Sequence, residues 1–265
     1  MISTPGAPQV DAARLAAALV RPGGVWTQVT TLATTGSTNA DLAAAARAGA
    51  ESGTVLVSSH QSAGRGRFTR VWEAPPGTSL AISVLLRPPP AVAARRWLWL
   101  PLVAGLAVAD GLRASTGVAA ELKWPNDVLA GGRKLCGILA ERVDSVHGPA
   151  AVIGMGVNTT LSADQLPVPT ATSVVLAGGT ADDAALAEAV LVALGGWYTR
   201  WLAAEDLRGE YAARCTSVGR RVRVQLSPDD VVEGLATGVD ADGCLLVSVA
   251  GGERAFAAGD VFHLR

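Results

Sequence analysis

The sequence predicts an α+β protein in two parts: a larger domain mixing strands and helices over residues 1–216, and a small all-β module over 217–265. Two patterns and a composition predict it. Val- and Thr-rich runs of strand length alternate with Ala- and Leu-rich stretches of helical length as far as Arg214. From Val218 onward only short strand-like runs remain, separated by glycine turns. With 49% hydrophobic and 17% charged residues, the chain has enough apolar surface to bury a core without disulfides or metals.

The elements follow in order. Asp11 caps a short helix through Val20, which Pro22-Gly23-Gly24 ends. Val25 to Thr34 reads as a strand. Ser37 and Thr38 precede a second helix that stops at Gly49. Thr54 to Ser59 is a strand. His60 to Gly77 has no apolar period and holds three arginines, three glycines and two prolines, so it is a long loop, a kind that is usually functional or disordered. Thr78 to Leu86 returns to a strand. Trp97 to Leu112 is the most apolar stretch; Pro101, Gly105 and Asp110 interrupt it, and it falls short of a membrane span, so it is a buried helix. Glu121–Trp124 and Val128–Ala130 flank a Pro-Asn-Asp turn, and Gly131-Gly132 turns the chain into a strand over Lys134–Val143. Ala150–Val157 is a further strand. Helices follow over Asp182–Ala203 and Glu205–Arg214. In the tail, Arg221–Val224, Val231–Val239, Cys244–Val249 and Arg254–Ala257 form a β-barrel-like module.

Several function classes are disfavoured. A net charge of -1 gives no global attraction to nucleic acid. Cys136, Cys215 and Cys244 stand far apart with no C-x-x-C pair, which argues against zinc, redox or disulfide frameworks and suits a reducing compartment. The first twenty residues lack the basic and apolar regions of a signal peptide. The expectation is a cytoplasmic protein.

Four segments carry chemistry. In Gly64-Arg65-Gly66-Arg67-Phe68-Thr69-Arg70-Val71-Trp72, glycines let backbone N–H groups approach an anion, and three arginines add permanent forked donors. By composition alone this loop suits a flap over a nucleotide or a basic surface loop gripping RNA about equally. It is not a P-loop, and neither Gly64-x-Gly66 nor Gly154-x-Gly156 has the third glycine of a dinucleotide fingerprint. Lys123-Trp124-Pro125-Asn126-Asp127 leads into Gly131-Gly132-Arg133-Lys134. Its lysines can aim charge at a ligand, and Asp127 can hold magnesium or orient a nucleophile, although turn formation is the commoner use of Pro-Asn-Asp. Gly36-Ser37-Thr38-Asn39 is a helix cap that can also line a pocket. Gly154-Met155-Gly156-Val157-Asn158 alone reads as a turn.

Taken together, in this order and spacing, these segments resemble the biotin protein ligases. The resemblance runs from about Val25 to the C-terminus and includes Gln61, Gly137-Ile138-Leu139 and Glu141. It implies a catalytic domain like the class II aminoacyl-tRNA synthetases and an SH3-like C-terminal barrel. It implies ATP with Mg2+, biotin as substrate, biotinyl-5′-AMP as intermediate, and the biotin carboxyl carrier domain of an acyl-CoA carboxylase as acceptor. Biotin is assigned to Ser37, Thr38, Asn39, Gln61, Gly64, Arg65, Arg67, Lys134, Gly137 and Leu139. The nucleotide is assigned to Arg70, Trp72, Lys123, Asn126, Lys134, Asn158 and Ala171, with Asn158 on the adenine. Lys134, Arg67, Arg70 and Asp127 carry the reaction, Asp127 orienting the acceptor lysine. No protein ligand set for a metal is implied; Mg2+ comes with the phosphates. Phe68 and Thr69 depart from the family's small or basic residues there. Some family members carry an N-terminal DNA-binding domain, for which the residues before Val25 are too few, so neither DNA nor membrane is an expected partner. The family includes monomers and homodimers. A lipoate or octanoate ligase of the same fold is the nearest alternative.

Overall fold

A computed structural model describes residues 10–68 and 70–264. The readings made on residues 1–9 and on Thr69 lie outside it. The chain runs α1 (Ala12–Leu19), β1 (Gln28–Leu32), α2 (Thr38–Arg47), β2 (Thr54–Ser58), β3 (Gly64–Arg65), β4 (Val71–Trp72), β5 (Ser79–Leu86), α3 (Leu100–Thr116), β6 (Glu121–Lys123), β7 (Asp127–Ala130), β8 (Arg133–Val143) and β9 (Ala150–Asn158). Then come α4 (Asp183–Leu202), α5 (Arg208–Arg214) and the strands β10 (Arg221–Gln225), β11 (Val231–Val239), β12 (Leu245–Val249), β13 (Gly252–Phe256) and β14 (Asp260–His263).

The main sheet has seven strands in the order β1-β2-β5-β9-β8-β7-β6. Only β1 and β2 pair in parallel. The other neighbours are antiparallel, as expected of a mixed, largely antiparallel sheet. Strand alternation divides its two faces. Val55, Val57, Leu80, Ile82, Ile138, Met155 and Val157 join the large core with α1, α3 and α4. Leu56, Leu85, Val143 and Val152 turn the other way and pack against Leu42, Ala43 and Ala46 of α2. Beyond α2, that second face carries Ala81, Gly137, Leu139, Gly154 and Gly156, which line a cleft. A stripe of small residues where the opposite face has Ile, Met and Val leaves room above the sheet.

The C-terminal strands form a five-stranded antiparallel sheet, β13-β12-β11-β10-β14. It is fastened to the larger domain. Trp99 and Trp124 donate indole N–H bonds to the carbonyls of Ala241 (2.9 Å) and Gly243 (3.1 Å). Gly243 sits at φ +92°, and a Cβ there would lie 3.2 Å from Trp99, so this turn needs glycine for both conformation and fit. Val222, Val224, Leu245 and Val247 belong to the same apolar core as the helices, so the module draws stability from the domain it sits on.

Several boundaries differ from expectation, each for a local reason. Pro101 opens α3 instead of interrupting it, because the first helical turn needs no N–H there; residues 94–99 form a 3-10 turn before it. The stretch 94–116 is long and apolar enough to cross a membrane by composition, but most of it is buried in the core. The last helix begins at Arg208, not Glu205: Ala204 takes φ +58°, and Asp206 accepts the Arg208 amide, starting the chain afresh. Within the long loop, Gly64 pairs with Trp72 and Arg65 with Val71 in a short ladder too brief to leave a periodic signal. Strand β14 was missed; it is four residues long and pairs with β10 across a wide sequence gap.

Candidate active site

The cleft encloses about 560 Å³ between the second sheet face, the arginine loop and the C-terminal module. Its floor is set by Trp72. A Cβ on Gly137 would lie 2.9 Å from that indole ring, and one on Gly156 would lie 2.8 Å from it. The ring therefore packs directly against bare backbone, where any Cβ would strike it. Its Nε1 is buried with no hydrogen-bond partner among the described residues.

One wall comes from the start of α2. Ser37 Oγ caps the helix by accepting the Ala40 N–H at 3.4 Å. The Thr38 amide donates to Gln61 Oε1 (2.9 Å), and Asn39 Nδ2 donates to Leu139 O (3.1 Å) and Glu141 Oε2 (2.9 Å). Glu141 also accepts from Arg65 (3.1 Å). Behind them lies Ser83, fully buried in β5, with Oγ 2.7 Å from both Thr38 Oγ1 and Asn39 Oδ1.

The opposite wall is cationic. Lys134 Nζ lies 2.6 Å from Asp127 Oδ1 and 6.0 Å from the centre of the Trp72 ring. Its strand is braced by the 170–174 segment: Lys134 N–H donates to Thr170 O, and Thr172 N–H to Lys134 O, both at 2.8 Å. Arg67 donates to Asn126 Oδ1 (3.0 Å) and Gly259 O (3.2 Å), and Arg70 forms an ion pair with Asp260. Burial lowers the Arg67 pKa, with Asp260 opposing; the hydrogen bond to Asp260 raises that of Arg70. Both stay charged at neutral pH. Phe68 is exposed at φ +58°, its ring 5.0 and 5.8 Å from the Arg67 and Arg70 guanidinium carbons.

The structure thus brings together Ser37, Thr38, Asn39, Gln61, Arg65, Arg67, Arg70, Trp72, Lys123, Asn126, Asp127, Lys134, Gly137 and Leu139 around one cavity. Three residues expected there do not line it. Gly64 is spent on the ladder, where a Cβ would strike the Trp72 carbonyl at 2.5 Å. Asn158 is buried and donates to Thr172 O (2.9 Å), so it holds the segment that braces Lys134. Ala171 bridges to Lys134 by backbone alone, and its carbonyl accepts from Arg133. Sequence reasoning missed Asp260, Val261 and Phe262, which reach the cleft from the module, and Val168 and Thr170 at its edge. Nothing local marks these. Ser83 did leave a signal: a lone hydroxyl in the apolar run SLAISVLL.

Fold and cleft define the class: an α+β domain on a mixed, largely antiparallel sheet, with an appended β-module and a cationic, glycine-floored cleft. Comparison with known proteins agrees. Residues 32–158 match the biotin/lipoate A/B protein ligase family, and residues 218–264 match the biotin protein ligase C terminal domain. The chain is 42% identical, over 97% of both proteins, to the biotin–[acetyl-CoA-carboxylase] ligase of Mycobacterium tuberculosis. It is 36% identical to the ligase of that name from Paracoccus denitrificans, over 87% of this chain and 98% of the other. The biotin protein ligase from Aquifex aeolicus in complex with biotin and ATP shares the fold, with a TM-score of 0.75 at 24% identity over 91% of this chain and all of that one. The chain belongs to the biotin protein ligase family.

Proposed function

We propose that this chain is a biotin–[acetyl-CoA-carboxylase] ligase, which activates biotin with ATP and transfers it to a lysine of a biotin carboxyl carrier domain. The observation that carries the reading is the convergence of Lys134, Arg67, Arg70 and Lys123 on one cleft whose other wall is polar, its Arg65 paired with Glu141. That asymmetry suits a ligand with a polar uncharged head and an anionic tail.

The chemistry starts from a repulsion. A biotin carboxylate oxygen must attack the α-phosphorus of ATP, and two anions meet only where cations neutralise them. Lys134 lies beside the glycine floor, where a Cβ on Gly137 would be 3.4 Å from its Nζ, so it suits the junction of carboxylate and phosphate. As pyrophosphate leaves, a mixed anhydride remains, and the arginine loop with Trp72 shields it from water. The acceptor lysine Nζ then attacks the acyl carbon and AMP departs. Asp127 lies within reach to orient that amine, and its present partner Lys134 is the group it would share. Magnesium enters as a companion of the triphosphate, where it neutralises phosphate charge.

The head wall supports biotin over lipoate or octanoate, because Ser37, Thr38 and Gln61 offer hydrogen bonds that a bare acyl chain leaves unmet. The division at residue 216, a cytoplasmic location, either monomer or homodimer, and the absence of a nucleic-acid or membrane partner belong to the same reading; the balanced charge supports the last. The test is incubation of the protein and a purified carrier domain with ATP, Mg2+ and an equal mixture of biotin and octanoate. Biotin on one carrier lysine, dependent on ATP, is expected. An unmodified carrier, or one acylated by octanoate instead, overturns the reading.

A further inference from the structure

Lysine and arginine together number 22 in this chain, and only two of them, Lys123 and Lys134, are lysines. Both line the cleft. A guanidinium keeps its proton and is no nucleophile, whereas a lysine amine that has shed its proton attacks an activated acyl group. The only ε-amines that can meet an acyl adenylate on this protein therefore stand at the site that makes it.

Their surroundings separate the two. Lys134 Nζ lies 2.6 Å from Asp127 Oδ1 and 6.0 Å from the centre of the Trp72 ring. As the cation of that ion pair it has no lone pair with which to attack. Lys123 is placed otherwise. The carboxylates that line the cleft, Asp127 and Asp260, are engaged by Lys134 and by Arg67 and Arg70, so Lys123 has no ion-pair partner among the described residues. It stands opposite Asp127 in the β6–β7 ladder. Side chains so paired start about 4.5–5.5 Å apart at Cβ, so the Lys123 stem reaches the ground that Asp127 overlooks. That is where an acceptor amine has to enter.

We propose that Lys123 is a self-acylation site: when no carrier arrives, its amine takes the biotinyl group from the protein's own adenylate, and the modified chain is switched off. Nζ gives one proton to water and attacks the acyl carbon. The bond from that carbon to the phosphate oxygen breaks, AMP leaves with the electron pair, and the new amide gives its second proton to solvent. The acyl group is handed over with its head already against the head wall, so the product stays tethered there and excludes free biotin. Ligase activity thereby falls when carrier is scarce. The proposal rests on the biotin reading and adds a modification site to it.

The test incubates the full-length protein for hours with biotin, ATP and Mg2+, with and without a purified carrier domain, and maps biotin by peptide mass spectrometry. Without carrier, Lys123 gains a biotinyl group and Lys134 does not. With carrier in excess, the label goes to the carrier and Lys123 stays unmodified. Carrier added after labelling is complete is biotinylated about tenfold more slowly or worse, because a tethered head competes at an effective concentration of about millimolar. Lys123→Arg keeps its own starting rate through the same incubation; if that variant starts inactive, the match between label and lost rate in wild type decides instead. Label on Lys134, label on the N-terminal amine alone, no label although the carrier is biotinylated, or labelled Lys123 with undiminished activity overturns the proposal. Protein that biotinylates neither itself nor the carrier overturns the functional reading beneath it.

Discussion

Asp260 of β14 sits 3.8 Å from the Arg67 guanidinium in the arginine loop, although 193 positions separate them in the chain. The same carboxylate also pairs with Arg70, and the Gly259 carbonyl beside it accepts from Arg67. One short strand of the C-terminal module thus fastens the loop that roofs the cleft, which gives the module a role beyond docking.

Asp260→Ala is expected to loosen that loop. The Arg70 side of the pair is mostly exposed, where ion pairs contribute about 0.2–1 kcal/mol, and the Arg67 side is more buried. Limited trypsin digestion checks it: cleavage after Arg67 and Arg70 should speed up by roughly two- to tenfold, while the melting temperature hardly moves. Unchanged cleavage would mean that Phe68 and the β3–β4 ladder hold the loop unaided.

Lys134→Ala removes the cation at the carboxylate–phosphate junction. Biotin-dependent exchange of pyrophosphate into ATP should fall by about 10²- to 10³-fold. The fold should persist, because Lys134 bonds its neighbours through its backbone. Exchange at the wild-type rate would remove Lys134 from the mechanism.

Gly154→Ala drives a methyl toward Asn39 Oδ1, 2.2 Å away, with Leu139, Glu141 and Ser83 all bonded to that amide. Breaking a buried network of this kind costs about 1–3 kcal/mol, so thermal melting should drop by roughly 3–10 °C. Gly156→Ala meets the Trp72 ring instead. It should raise the KM for biotin with a smaller loss of stability, as steady-state kinetics and melting together would report.

His263 follows Phe262 in β14 and hydrogen-bonds Ser217 at 3.0 Å. Burial, aided by the positive charges of Lys123 and Arg220, holds its pKa below the ordinary 6.5. The unfolded chain therefore takes up the proton first as pH falls, and stability declines below about pH 6.5 until the folded pKa is passed. Melting curves of wild type and His263→Gln from pH 7.5 to 5 should converge at the acid end. Parallel curves would show that His263 contributes nothing to the pH dependence.

What the sequence made legible follows from the range of the interactions. Helix caps act within a few residues, and Asp11, Ser37 and Asp182 behave accordingly. The head wall and cationic wall were legible because their residues lie in compact motifs. Asp260 was not, because a lone aspartate after a glycine becomes meaningful only when β14 pairs with β10 and swings it over the loop. Asn158 stood in a motif, but the motif could not tell a side chain facing the cleft from one holding the segment beside it. In the sequence, Gly137 of β8 reads as a biotin contact and the glycines of β9 read as a turn. Their effect here is on the sheet face, where alternation with Ile138, Met155 and Val157 makes a slot for Trp72.

The central claim is that this cleft makes and keeps an acyl adenylate of biotin. Native mass spectrometry of the protein after incubation with biotin, ATP and Mg2+, then desalting, tests it most directly. The account predicts a one-to-one complex with biotinyl-5′-AMP, lost in Lys134→Ala and absent when octanoate or lipoate replaces biotin. Protein that carries no adenylate, or carries that of octanoate or lipoate instead, would contradict it.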